Sequence, residues 1–329
     1  MSDIQLTLAC EDYDRTRPLR NGTVKAEGID LNYVPLEVEE IFWRMCRFEE
    51  FDAAELSMGA FLVAAAQGRH PFVAIPVFPS RTFRHRCIFV NTASGIEKPE
   101  DFRGKRVGVP EYTMTAAVWL RGMFQHEYGV KPEDVQWVQA GEEQLGRKDR
   151  VDFDLPKGIR LEIVRDKTLN EMIESGAIDA MMAPRMPSSF LGGSPRVQRL
   201  FPDYKRAEMD YFKRTKIFPI MHVIVIRKSV HDAHPWAAGS LYKAFSEAKD
   251  RCFGRLYDTN VLHVSLPWFA AEYEETRDAM GADFWPYGFA PNRHVLETLH
   301  GYLLEQGLIK QKLDLESLFA SSTREAFKI

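Results

Sequence analysis

The chain has 329 residues, with 43 lysines and arginines against 47 aspartates and glutamates and a formal net charge of -4. Its 45% hydrophobic, 12% aromatic and 27% charged residues are an ordinary globular composition, which excludes the low-complexity and disordered classes. No strongly basic domain or stripe offers a footprint for nucleic acid, and a single core would be near its practical size limit, so two domains are expected.

The first ten residues lack a basic region and a long apolar stretch, and Arg15 is the first basic residue, so no secretory signal is expected. The longest uncharged apolar run, 56–68, is too short for a bilayer and reads as a buried helix, so no membrane partner is expected. Cys10, Cys46, Cys87 and Cys252 form no CxxC and read as reduced core residues. The expectation is a cytoplasmic protein acting on something small.

In chain order, short apolar strands alternate with amphipathic helices. Strands are predicted at 4–9 and 31–35 with the polar loop 11–16 between them. Val38, Ile41, Phe42, Met45 and Phe48 recur at helical spacing. A strand at 51–56, a helix at 59–67 and a strand at 72–78 follow. This β-β-α-β-α-β order argues for α/β layers on a largely parallel sheet. Further strands are predicted at 86–90 and 105–109, then a helix to 128 whose opening threonines suit an N-cap. A strand at 135–139, a charged surface excursion at 142–154, a helix at 169–175 and a strand at 178–183 come next. The apolar run 218–226 returns the chain, and from 235 to 329 the pattern is almost wholly helical. Residues 1–92 plus 223–329 are thus expected to form one lobe and 93–222 an inserted second lobe, with a ligand cleft between them.

Several side chains could carry chemistry there. Arg81, Arg84, His85 and Arg86 follow directly on the strand 72–78, and ligands bind at the carboxyl ends of strands in open α/β sheets. Arginine grips carboxylates bidentately, which suits a substrate with more than one carboxylate; a solvated basic turn is the other reading of the same residues. Asp12 and Arg15 lie in the loop after the first strand, which also reads as a charged surface loop. Thr113 and Thr115 sit at a helix start, where free N–H groups favour an anion, although plain capping explains them equally. Ser57, beside Glu55 at the end of the third strand, is a weaker signal. Arg185 follows the strand 178–183 and could close on a ligand held by the first lobe.

Two of the nine histidines stand out. His85 sits among the arginines, and His222 interrupts the apolar run 217–226. Such a strand histidine is ordinarily a core residue, but one facing the cleft becomes a proton donor or acceptor near neutral pH. His70, His126, His231, His234, His263, His294 and His300 read as peripheral, and no metal-ligand spacing is present. The chain has no GxGxxG, no GxxxxGK[ST], no GxSxG and no HExxH, which disfavours nucleotide chemistry, serine hydrolysis and zinc proteolysis.

The segment Gly104-Lys105-Arg106-Val107-Gly108-Val109 resembles the start of the second lobe in type II periplasmic-binding-protein-like folds. More specific blocks run through most of the chain: residues 11–17, 75–85, 107–112, 218–222 and 283–288. These resemble the 4,5-dihydroxyphthalate decarboxylases. Glu11 departs from that pattern, which has a small residue there, and the stretch 147–151 is variable; neither touches the Arg/His cluster. The resemblance implies a two-lobed α/β fold and a carboxy-lyase of aromatic catabolism that releases CO2 from 4,5-dihydroxyphthalate to leave 3,4-dihydroxybenzoate, with no cofactor. A dianionic ring acid needs cationic clamps, for which Arg15, Arg81, Arg84 and Arg185 are available. Ring protonation needs a proton donor, and the phenol needs a base or acceptor. His85 and His222 are the candidates, with the two roles unassigned. Tyr287 and Trp285 either stack on the ring or pack the core. Two alternatives share the scaffold: a solute-binding protein for a small aromatic acid, and a decarboxylase of a related hydroxylated aromatic acid. Helical stripes in the C-terminal part leave a homo-oligomer open.

Overall fold

The computed structural model describes residues 3–69, 71–146, 153–258 and 260–324. His70, the 147–152 portion of the charged excursion, and the helical reading of 325–329 lie outside the described residues.

Two sheets form the frame. The first holds β1 (Ile4–Ala9), β2 (Ile29–Val34), β3 (Ala53–Ser57), β4 (Phe72–Ile75) and, far along the chain, β11 (His222–Arg227), in the order β2-β1-β3-β11-β4. The second is built from β5 (Ile88–Asn91), β6 (Arg106–Val109), β7 (Gln136–Gln139), β8 (Arg160–Ile163), β9 (Ala180–Met182) and β10 (Val197–Arg199), in the order β10-β5-β9-β6-β7-β8. Pairing is parallel for β1 with β2 and β3, and for β6 with β7 and β9. The strands that directly follow a crossing, β5 and β11, pair antiparallel to their neighbours.

The first crossing spans 76–87 and the second 200–221. Residues 88–91 therefore belong to the second sheet, whereas the sequence boundary at 92 had placed them in the first lobe. Their apolar run matches either sheet, and only pairing with β9 and β10 decides it. The sequence-based strand 218–226 likewise begins late, at His222, because residues 217–221 form the returning link. The C-terminal part holds helices at Lys228–Ala233, Ala237–Tyr257, Phe269–Met280 and Phe289–Glu305, with irregular chain between them and mostly after them. Helix Tyr204–Thr215 is too polar on average, and the strands β8 and β10 too short, to be read in advance.

All five residues of β3 are buried, because helices cover both faces of the sheet. One face of β3 and β11, through Ala54, Leu56, Val223 and Val225, joins a core that also includes Val107, Val109 and Ala180 of the second sheet. The lobes are thus packed together. Trp119, on helix Thr115–Tyr128, donates its indole N–H to the Ile220 carbonyl at 2.9 Å. On the same helix Gly122 lets helix Phe289–Glu305 approach: a Cβ there would lie 2.0 Å from the Tyr302 ring. The other face, through Ala53, Ile224 and Ile226, packs on Leu6, Leu8 and helix Ala237–Tyr257. No helix among the described residues is long and apolar enough to cross a membrane.

Candidate active site

Two polar residues break the apolar pattern of adjacent central strands. Glu55 lies inside β3 and His222 opens β11; in the antiparallel register Ser57 faces His222 and Ile224 faces Glu55. Side chains two residues apart share a face, so the carboxylate and the imidazole are diagonal neighbours within reach of one another. Nδ1 of His222 meets Oε1 of Glu55 at 2.5 Å. The carboxylate is fully buried and the imidazole 16% exposed.

Three more donors converge on the same carboxylate. The Tyr13 hydroxyl donates to Oε1 at 2.7 Å, while the Glu11 amide and the Cys10 thiol donate to Oε2 at 3.1 and 3.4 Å. Burial alone would raise the Glu55 pKa; the hydrogen bond and charge of His222, with the Tyr13 and Glu11 bonds, hold it below the usual carboxylate value. Burial and the neighbouring Glu55 charge push the Tyr13 hydroxyl and the Cys10 thiol above theirs, so both stay protonated as donors. The result is an ionised carboxylate with its acceptor sites filled, orienting one imidazole. With Nδ1 engaged, Nε2 is the ring nitrogen left to act on a ligand. The ring of Phe42 meets the imidazole edge-on at 4.9 Å and fixes its plane.

Further candidate residues come from both lobes. The Ser57 and Thr115 hydroxyls meet at 2.8 Å, and the Gly59 amide donates to Thr115 Oγ1 at 2.9 Å. Thr115 therefore ties the lobes together and does not cap its own helix, whose N-cap is Met114 without a side-chain bond. Thr113 donates to Glu111 Oε1 at 3.3 Å beyond the end of β6. Arg185, after β9, reaches across to Glu39 Oε2 at 3.1 Å while its amide donates to Glu142 Oε1 at 3.3 Å.

The other expected residues have different surroundings. His85 does not join the pair: it is 1% exposed, wedged edge-on against Phe201 and Tyr211, with no partner on Nδ1. Burial, aided by the charge of Arg214, drives its pKa down to about 4, so it is a neutral core residue. Arg81 is buried and donates to the Pro286 and Phe218 carbonyls and to Asn292 Oδ1, stapling the segment before helix Phe289–Glu305 to the crossing. Arg15 lies between the rings of Tyr13 and Trp285, 4.2 Å from each centroid, and bonds the Pro79 carbonyl at 2.8 Å. Asp12 turns to Arg17 and Arg20. Tyr287 is a core residue beneath Lys249. Arg84 stays buried in the first crossing, next to Cys87 and Met221. Arg15, Arg81 and Asp12 thus build the scaffold, whereas Ser57, Thr115 and His222 meet where the lobes join.

Sequence reasoning noted Glu55 only as a weak signal beside Ser57, met Tyr13 only as part of the loop after the first strand, and read Cys10 as a core residue. The available signal was a lone acid in one apolar strand and a lone histidine in another, since each would be costly to bury without the other.

The chain is 41% identical, over an alignment of 330 positions covering all of both chains, to 4,5-dihydroxyphthalate decarboxylase from Comamonas testosteroni. The chain belongs to the 4,5-dihydroxyphthalate decarboxylase family. The family's namesake from Pseudomonas putida is 40% identical over 214 residues, which cover 65% of this chain and 83% of that one. Residues 21–188 match the family described as NMT1/THI5 like. The periplasmic aliphatic sulphonate binding protein SsuA from Escherichia coli superposes with a TM-score of 0.54 at 14% identity, covering 98% and 99% of the two chains. The decarboxylase family member therefore has the two-lobed periplasmic-binding-protein fold that its motifs implied.

Proposed function

We propose that this chain is a carboxy-lyase that converts 4,5-dihydroxyphthalate to 3,4-dihydroxybenzoate and CO2 without oxidation. The observation that carries the mechanism is the buried Glu55 carboxylate holding His222 at the junction of the lobes. Its Nε2 delivers a proton to the ring carbon that bears the departing carboxylate, and Glu55 stabilises the cationic imidazole before transfer. The bond from that carbon to the carboxylate then breaks, its electron pair restores aromaticity, and CO2 leaves. A solvent proton recharges His222, so each turnover consumes one proton and releases one CO2. A positioned acid of this kind contributes roughly 10²–10⁴ in rate. Ser57 and Thr115, whose hydroxyls meet at the same junction, are the groups assigned here to the ring hydroxyls. The four free thiols suit a reducing, cytoplasmic setting.

The test is CO2 release from 4,5-dihydroxyphthalate by purified protein, with and without chelator. Equimolar CO2 and 3,4-dihydroxybenzoate, unaffected by chelation, are expected. Tight capture without product would make it a binding protein, and turnover only of another hydroxylated aromatic acid would move the reading to that substrate. Loss of turnover on chelation would overturn the cofactor-free mechanism.

A further inference from the structure

The four arginines offered as clamps differ in one respect. Arg15 and Arg81 bond backbone carbonyls and Arg185 bonds Glu39. The guanidinium of Arg84, among the described residues, has no oxygen partner. Its Nη1 lies 3.8 Å from the Cys87 thiol, its Nη2 meets the Met221 thioether, and its buried Nε has no partner. Thiol and thioether sulfurs are weak acceptors, so a buried cation with five donors is left largely uncompensated. Burial pulls its pKa below the usual arginine value, and Glu142 and Cys87 act on it electrostatically in the opposite sense. An unpaired buried charge is destabilising, and an arrangement of this kind marks a place where a ligand can complete the pair.

The position fits a ligand of the site already described. Arg84 lies in the first crossing between the sheets, and Met221, whose sulfur it meets, directly precedes His222 in the second. The Met221 and His222 amides both donate to the Ser80 carbonyl, at 2.9 and 3.2 Å, which ties the first crossing to the strand that carries the imidazole.

We infer that Arg84 is the specificity residue of this site and grips the carboxylate that the aromatic substrate retains through the reaction. The carboxylate part stands on geometry alone; the assignment to the retained group rests on the decarboxylase reading. An arginine on the departing carboxylate would bind the ground state better than the transition state, where that charge flows into the ring, and would slow the reaction. On the retained carboxylate it binds substrate, transition state and product alike, and its removal raises KM while kcat changes little.

The experiment measures binding of phthalate, 3,4-dihydroxybenzoate and catechol to wild type, Arg84→Met and Arg84→Lys by calorimetry, with KM and kcat for 4,5-dihydroxyphthalate alongside. Phthalate keeps both carboxylates, the dihydroxybenzoate only the retained one, and catechol neither. Arg84→Met is expected to weaken phthalate and 3,4-dihydroxybenzoate by roughly 10- to 100-fold each, as loss of a charge-assisted bidentate contact does, leaving catechol unchanged. KM rises by a similar factor and kcat stays within about threefold. Ligand-free Arg84→Met melts no lower than wild type, because an apolar side chain replaces an uncompensated charge. Arg84→Lys, which keeps the charge without the fork, falls between the two and supplies the same readout should the methionine variant not fold. Unchanged acid affinity in either variant, or equal losses for the acids and catechol, overturns the subsite. Loss confined to phthalate overturns the assignment to the retained carboxylate. Wild type that binds both acids through Arg84 but never releases CO2 defeats the proposed function and leaves the subsite standing.

Discussion

His85 lies in the first crossing and His222 opens the strand that follows the second, and their surroundings separate them completely. His222 has a buried carboxylate on one nitrogen and a side chain 16% exposed; His85 has aromatic edges around it and a Nδ1 with no partner. Proximity to arginines made His85 the more conspicuous residue in the sequence. An imidazole becomes an acid or base through the hydrogen bond that fixes its tautomer and the access that lets it reach a ligand. His222 has both and His85 neither.

That contrast can be broken or sharpened by substitution. His222→Ala should lower kcat for CO2 release by roughly 10²–10⁴, whereas near-normal turnover would remove it from the chemistry. Glu55→Gln, which keeps the shape and removes the charge that orients the ring, should cost about 10². In the His222→Ala background the same change should cost almost nothing further, since the two act as one unit; additive losses would separate them. His85→Phe should leave kcat within about twofold, and its effect belongs to stability. Native His85 stays neutral down to about pH 4, but the unfolded chain takes up that proton below about pH 6.5. Acidification therefore favours unfolding across that window, by about 2–3 kcal/mol at pH 4.5 from the two pKa values. Urea unfolding of wild type and His85→Phe at pH 7 and 4.5 should show a smaller loss in the variant. An equal loss in both would contradict a neutral, sealed His85.

The frame of the fold was readable because alternation, helical spacing and turn residues survive in one sequence. Strands 4–9, 72–75 and 106–109 and helices 38–48 and 115–128 follow those patterns. The crossing at 76–87 was not, because the run 86–90 is apolar enough for either sheet and its place depends on partners far along the chain. The site divided the same way. His222, Ser57 and Thr115 announce themselves as polar residues at strand ends or a helix start, but the pairing of Glu55 with His222 spans 167 residues and exists only through the β3–β11 register. Arginine content gave candidates only: Arg81 was offered among the clamps, and in the structure its guanidinium bonds Pro286, Phe218 and Asn292.

The most direct measurement is CO2 release from 4,5-dihydroxyphthalate by His222→Ala with and without added imidazole, against wild type. Loss of roughly 10²-fold or more in kcat, partly recovered as free imidazole takes the vacated place beside Glu55, is the predicted result. Release at close to the wild-type rate without imidazole would contradict the account.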